Sequence, residues 1–196
     1  ASLTKPITAL VAFKLIDAGK LSLDEPVYPY FLDPDIADHP FAKKLTIRII
    51  LSHQTGFANW RGNYDDKKLK FEFEPGSQYQ YSGEGFEYLR EVMEHKFNKS
   101  IQQLASELIF EPLKMSNTSF VWDEKFDAKF AKWHNEKGDL YLHKKHNTAC
   151  GADDLLTTIE DYTTFVNYML NGADLSDKLF EEITKEQVRV SDSKYW

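Results

Sequence analysis

The chain has one cysteine, Cys150, among its 196 residues, so no intrachain disulfide can staple it and thiols say nothing of its redox compartment. No apolar run approaches the roughly 20 residues that a membrane-spanning helix needs. Basic charge is not in excess either: 24 Lys and Arg stand against 31 Asp and Glu, for a net charge of −7. That balance excludes the basic stripe of a nucleic-acid surface, and the pairs Lys43-Lys44, Lys67-Lys68 and Lys144-Lys145 read as solvated faces. Metal and dinucleotide signatures are missing too. There is no His-Glu-x-x-His, His143 and His146 lack a third ligand and read as surface histidines, and Gly83-Glu84-Gly85 lacks the third glycine and the preceding strand. What is abundant is core material: 42% hydrophobic and 14% aromatic residues exclude a disordered chain.

Helical periodicity dominates. Ile7, Leu10, Val11, Leu15 and Ala18 predict a helix from the first residues to a stop at Gly19. Four prolines between Pro26 and Pro40 break the next stretch. Thr46 predicts the cap of a short helix over Ile47 to Ser52, and a loop follows to about Ser77. A second amphipathic helix is expected from about Glu84 to Lys96, burying Phe86, Leu89, Val92 and Met93. Ser100 with Gln103 forms a capping box for a third, carrying Ile101, Leu104, Leu108 and Ile109. Phe120-Val121-Trp122 reads as a short strand, and Lys137-Gly138-Asp139 as the turn of a hairpin. Thr158 and Ser176 predict caps for helices over Ile159 to Asn171 and Asp177 to Thr184. No repeat or inter-domain linker is evident.

Chemistry points to the start of the chain. Ser2 and Lys5 are three residues apart, on one face of a helix. Burial of such a face disfavours a charged amine, and a neutral amine beside a hydroxyl can take its proton and make a nucleophile. The pair also lies at the helix N-terminus, where the dipole favours developing negative charge but where a plain cap serine is equally at home. Spacing alone does not decide, since Ser191-Asp192-Ser193-Lys194 repeats it in a polar tail with no apolar periodicity. Tyr81, in Tyr81-Ser82-Gly83 ahead of a helix, is a second candidate, because a tyrosine near a lysine can shuttle protons. The bland reading is a packing tyrosine, one of ten. His53, at a helix end, reads as a partner of a terminal carbonyl rather than a base. Trp60 and Trp122 read as core or cleft-wall aromatics.

Ordered blocks shift the balance. Ala1-Ser2-Leu3-Thr4-Lys5-Pro6 and Leu45 through Phe57 resemble the serine β-lactamase and penicillin-binding-protein family, in its class C and esterase-like branch. Pro75-Gly76-Ser77 to Tyr81-Ser82-Gly83, Ile109 to Met115, and Ala149-Cys150-Gly151 to Asp161 resemble it in the same order. The resemblance implies an α+β fold, mostly α in the part present: a helical lobe with few short strands, most of the five-stranded antiparallel sheet lying outside the chain. It implies one partial domain over 1–196, with the nucleophile helix at 1–19 and the helical lobe at 20–196. It implies that Ser2 is acylated, that Lys5 accepts its proton and that Tyr81 shuttles protons, with Ser82 and Gly83 at the substrate. No metal or organic cofactor is called for. The expected partner is a small acyl substrate, an ester, amide or β-lactam, and a periplasmic or extracellular bacterial setting goes with the family.

Two departures qualify this. Gly83 stands where the family's Tyr-x-Asn has asparagine, which weakens the case for amide and β-lactam turnover and favours an esterase- or peptidase-like hydrolase. No Lys-Thr-Gly or His-x-Gly occurs in the 196 residues, and family order places that element beyond Trp196. With residue 1 directly before the nucleophile, the expectation is a piece of a longer protein that turns over poorly alone, one lost oxyanion donor costing about 10²–10³ in rate. The rival expectation is a sensor module that captures a penicillin or cell-wall fragment without turnover.

Overall fold

The computed structural model describes residues 1–141 and 145–190; His143 and the second Ser-x-x-Lys at 191–194 lie outside the described residues. Among the described residues six α-helices carry the fold: α1 (Thr4–Asp17), α2 (Ile47–Leu51), α3 (Gly83–Phe97), α4 (Ile101–Ala105), α5 (Ile159–Leu170) and α6 (Asp177–Thr184). Among the described residues β pairing is confined to three isolated antiparallel bridges, Pro26 with Thr46, Ser119 with Leu156, and His134 with Leu140. The strand predicted at Phe120-Val121-Trp122 is therefore not formed. A single bridge at Ser119 and one bond from Trp122 N–H to His146 O (2.8 Å) give it no ladder to extend. The Gly138 turn is present, with Asn135 N–H donating to Asp139 O (2.9 Å) and Gly138 at φ 84°.

α1 runs through the centre, packed on α3 and α4. Ile7, Leu10 and Val11 are fully buried and Leu15 nearly so, but Ala18 is exposed at the C-cap and Ala12 takes its place in the core. Thr4, Lys5 and Thr8 are buried as well, so the helix hides more than one face. Each such aliphatic side chain stabilises the fold by about 1.5–3 kcal/mol relative to exposure. Gly19, at φ 68°, ends the helix in the left-handed conformation that glycine adopts without a Cβ penalty.

The expected caps are in place at Thr46, whose hydroxyl accepts from Ile49 N–H, at Thr158, which accepts from Asp161 N–H, and in the Ser100–Gln103 capping box. Ser176 differs: its hydroxyl bonds the Asp17 carboxylate (2.5 Å) and ties α6 to the end of α1 instead of capping. The third predicted helix is regular only to Ala105. Ser106–Phe110 widens to a π turn, with Glu111 N–H bonding Ser106 O (3.0 Å), which turns Ile109 and Phe110 into the core.

Candidate active site

Residues 1–5 form a tight entry turn. Thr4 N–H and Lys5 N–H donate to the carbonyls of Ala1 (2.9 Å) and Ser2 (3.1 Å), which sets the Ser2 and Lys5 side chains on one side. Lys5 Nζ lies 3.1 Å from Ser2 Oγ, and Tyr81 Oη, 79 residues away, donates to the same oxygen at 2.8 Å. Ser2 is thus no cap: Leu3 occupies the N-cap position and no side chain bonds there. Three residues predicted from sequence meet at one atom.

The amine is held from the other side by a segment that comes back to α1. Lys5 Nζ donates to Ala152 O (2.9 Å), Thr8 Oγ1 to Gly151 O (2.7 Å), and Leu155 N–H to Thr4 Oγ1 (3.1 Å). Gly151 permits this approach, since a Cβ there would sit 2.7 Å from the Phe86 carbonyl oxygen on α3. Its N–H is bonded by Glu87 of α3 (2.7 Å). Lys5 is 6% exposed, its side-chain nitrogen 4.9 Å from the centre of the Tyr81 ring and 5.9 Å from that of Phe86. Among the described residues no carboxylate pairs with it, so none competes with Ser2 for the amine. Cys150, next to this segment, is a half-buried thiol pushed up to about 12 by desolvation and then by Glu87, which disfavours the thiolate that a nucleophile needs.

Tyr81 is delivered by the loop after α2. His53 adopts a left-handed φ of 56°, Gln80 N–H donates to His53 O (2.8 Å), Gly76 N–H to Gln54 O (2.9 Å) and Glu72 N–H to Gly56 O (2.7 Å). The His53 side chain serves no helix carbonyl; its Nδ1 accepts the Ser82 N–H (3.1 Å) and its ring packs on Tyr81 with centroids 4.5 Å apart. Burial, and after it the Lys5 charge, lower the imidazole to about 4, so it is neutral near pH 7.

Ser82 does not face the cleft. It is fully buried as the N-cap of α3, its hydroxyl donating to Ala58 O (2.8 Å) and accepting from Gly85 N–H (3.0 Å). Gly83 is buried too, and its N–H is taken by Asn59 Oδ1 (2.8 Å). A Cβ on Gly83 would meet the Trp60 ring at 2.7 Å, so the indole occupies the space that a side chain at 83 would need. The loop bearing it is anchored by Arg61, whose backbone N–H and Nε both bond Glu84 (2.8 and 2.6 Å) and which also reaches Asp33 (2.8 Å). Sequence reading missed this anchor; an arginine directly after the tryptophan and an acid in the first turn of α3 were its only trace. Beyond Ala1 lies a cavity of about 560 Å³, walled by Phe120, Trp122, Phe126 and Phe130 with Asp153 and Asp154 at its edge. No group of three or more His, Cys, Asp or Glu among the described residues is arranged to hold a metal, and no helix is long and apolar enough to cross a membrane.

A helical lobe with serine and lysine at the head of its central helix has the fold class of penicillin-binding proteins. The chain belongs to the beta-lactamase family, whose model matches residues 1–194. It is 30% identical over 149 residues to Esterase EstB of Burkholderia gladioli, a match covering 62% of this chain and 38% of that protein. In structure it is similar to the penicillin-binding protein from Bacillus halodurans (TM-score 0.76, 20% identity, 98% of this chain and 64% of that one). It is likewise similar to the D-amino acid amidase from Ochrobactrum anthropi (TM-score 0.74, 24% identity, 93% and 59%). The chain spans about two fifths of the length of the curated relatives it matches.

Proposed function

We propose that the protein is a serine hydrolase that works through an acyl-enzyme. The observation that carries this is the convergence of Lys5 Nζ and Tyr81 Oη on Ser2 Oγ at 3.1 and 2.8 Å. Ser2 Oγ attacks the substrate carbonyl carbon as it sheds its proton. The uncharged amine of Lys5 takes it, and Tyr81 gives its own proton to the departing alcohol or amine as the carbonyl–heteroatom bond breaks, taking one back from Lys5 in turn. Water then attacks the ester on Ser2 and releases the acid. The Tyr81 hydroxyl on Ser2 Oγ, with the start of α1 beside it, favours the negative charge that develops there as the proton leaves.

Small esters are the preferred substrates. With Trp60 filling the space above Gly83, no side-chain amide at that position orients a substrate amide. The aromatic cavity beside Ala1 suits an apolar acyl or alcohol group. The fold of penicillin-binding proteins keeps one second reading in view, a module that captures a penicillin without releasing it.

Intact-mass measurement after incubation with a nitrophenyl ester and with a penicillin tests both. Adducts on Ser2 that clear with time are expected for the hydrolase. A penicillin adduct that persists while the ester is not turned over favours the capture module, and absence of any adduct on Ser2 refutes the acyl-enzyme reading.

A further inference from the structure

The part of the site that the reaction leaves without a role is the His53 imidazole. It makes no hydrogen bond to Ser2 or Lys5, yet it touches the tyrosine and the residue after it. Its ring lies on the Tyr81 ring at 33° between planes, and its Nδ1 holds the N–H of the very next residue, Ser82. We propose that His53 is the positioning residue for Tyr81, fixing the phenol on Ser2 through its bond to the Ser82 N–H. This rests on the acyl-transfer reading above.

The tautomer follows from the bond. Since Ser82 N–H is a donor, Nδ1 must carry the lone pair, and the single proton of the neutral ring sits on Nε2. A protonated ring would set N–H against N–H, and the bond would be lost. The fold keeps the ring neutral. Lys5 of α1 faces it, Tyr79 and Tyr81 pack on it, and Arg48 and Glu182 line the same groove, while among the described residues no carboxylate pairs with it. Backbone conformation does not account for a histidine here. The left-handed region at φ 56° suits asparagine or glycine at least as well, so the imidazole is explained by what its side chain holds. The same residue also accepts Gln80 N–H on its carbonyl, so residues on both sides of Tyr81 hang from His53.

Asparagine makes the discriminating variant. Its Oδ1 takes the place of Nδ1 as acceptor, it tolerates the left-handed backbone, and it does not titrate. The readouts are the rate of Ser2 labelling by a fluorophosphonate, divided into maximal rate and half-saturation concentration, and the NMR signals of the Ser82 amide and the His53 ring nitrogens. His53→Ala is expected to lower the maximal rate about 10–100-fold with half-saturation nearly unchanged, and His53→Asn to recover most of that loss. The Ser82 amide proton should move upfield in His53→Ala and return in His53→Asn. Labelling of His53→Ala at the wild-type rate would overturn the proposal. So would His53→Asn labelling as slowly as His53→Ala with its Ser82 signal restored. Should His53→Ala not fold, the wild-type ring still decides: Nδ1 carrying the proton near neutral pH contradicts the role. Failure of wild-type Ser2 to label sinks the acyl-transfer reading instead, and the ring measurement distinguishes the two.

Discussion

The two walls of the cleft are built differently. On one side, α1, the entry to α3 and the loop after α2 hold Ser2, Lys5 and Tyr81 through helical backbone and buried polar bonds, among them Lys5 to Ala152 and His53 to Ser82. On the other, residues 119–130 present Phe120, Trp122, Phe126 and Phe130 from a stretch whose β pairing is one isolated bridge, Ser119 with Leu156. The contrast separates two needs. Reacting atoms must be held within a fraction of an ångström, which requires rigid elements and saturated hydrogen bonds. A wall that receives an acyl group needs area and tolerance, which aromatic side chains on irregular backbone supply.

Breaking the rigid wall should cost most. Ser2→Ala should lower ester turnover by at least about a thousandfold, and Lys5→Met by about as much, because the two act as a unit. Steady-state assays with a nitrophenyl ester check this, and a drop below about tenfold for Ser2→Ala would place the nucleophile elsewhere.

Next is the hinge of that wall. Gly151→Val puts a Cβ 2.7 Å from the Phe86 carbonyl oxygen, which is backbone and cannot swing away. The expected cost is about 1–3 kcal/mol in urea unfolding, with slowed labelling of Ser2 as Ala152 O moves off Lys5. Unchanged stability would show that the segment is not seated against α3.

Of similar size is a pH effect. His53 takes its proton at about 4 in the fold and near 6.5 unfolded, so between these values the unfolded chain binds more protons. Stability is fully present above about 6.5 and falls as pH drops toward 4, by about 2 kcal/mol once the solvent-facing part of the ring is discounted. His53→Asn should flatten that part of the slope; equal slopes would mean that the ring is not buried neutral.

The loose wall should respond least. Phe126→Ala is expected to lower the preference for a long over a short acyl chain by about fivefold, about one kcal/mol of lost apolar contact, as the ratio of the two kcat/KM values. An unchanged ratio would move the acyl group out of that cavity.

The same contrast decided what sequence could reveal. The helices, most caps and the Ser2–Lys5–Tyr81 set were legible because each is written in local spacing or in an ordered block. The family resemblance puts Ser82 at the substrate; its hydroxyl instead turns inward as the cap of α3, bonded to the adjacent Ala58 carbonyl. Sequence marks Gly83 only as a missing amide, whereas the structure pairs it with Trp60 across 23 residues, a steric relation with no local signature. The strand at 120–122 failed for lack of a partner, which residue type cannot report. Its place at a helix end points His53 to a terminal carbonyl, and nothing local tells of Ser82, 29 residues on.

The central claim is that Ser2 is the nucleophile. Incubation with a fluorophosphonate followed by peptide mapping tests it most directly. One adduct per chain on the peptide bearing Ser2, abolished in Ser2→Ala and strongly slowed in Lys5→Met, is expected; an unmodified Ser2, or an adduct that persists in Ser2→Ala, would place the nucleophile elsewhere.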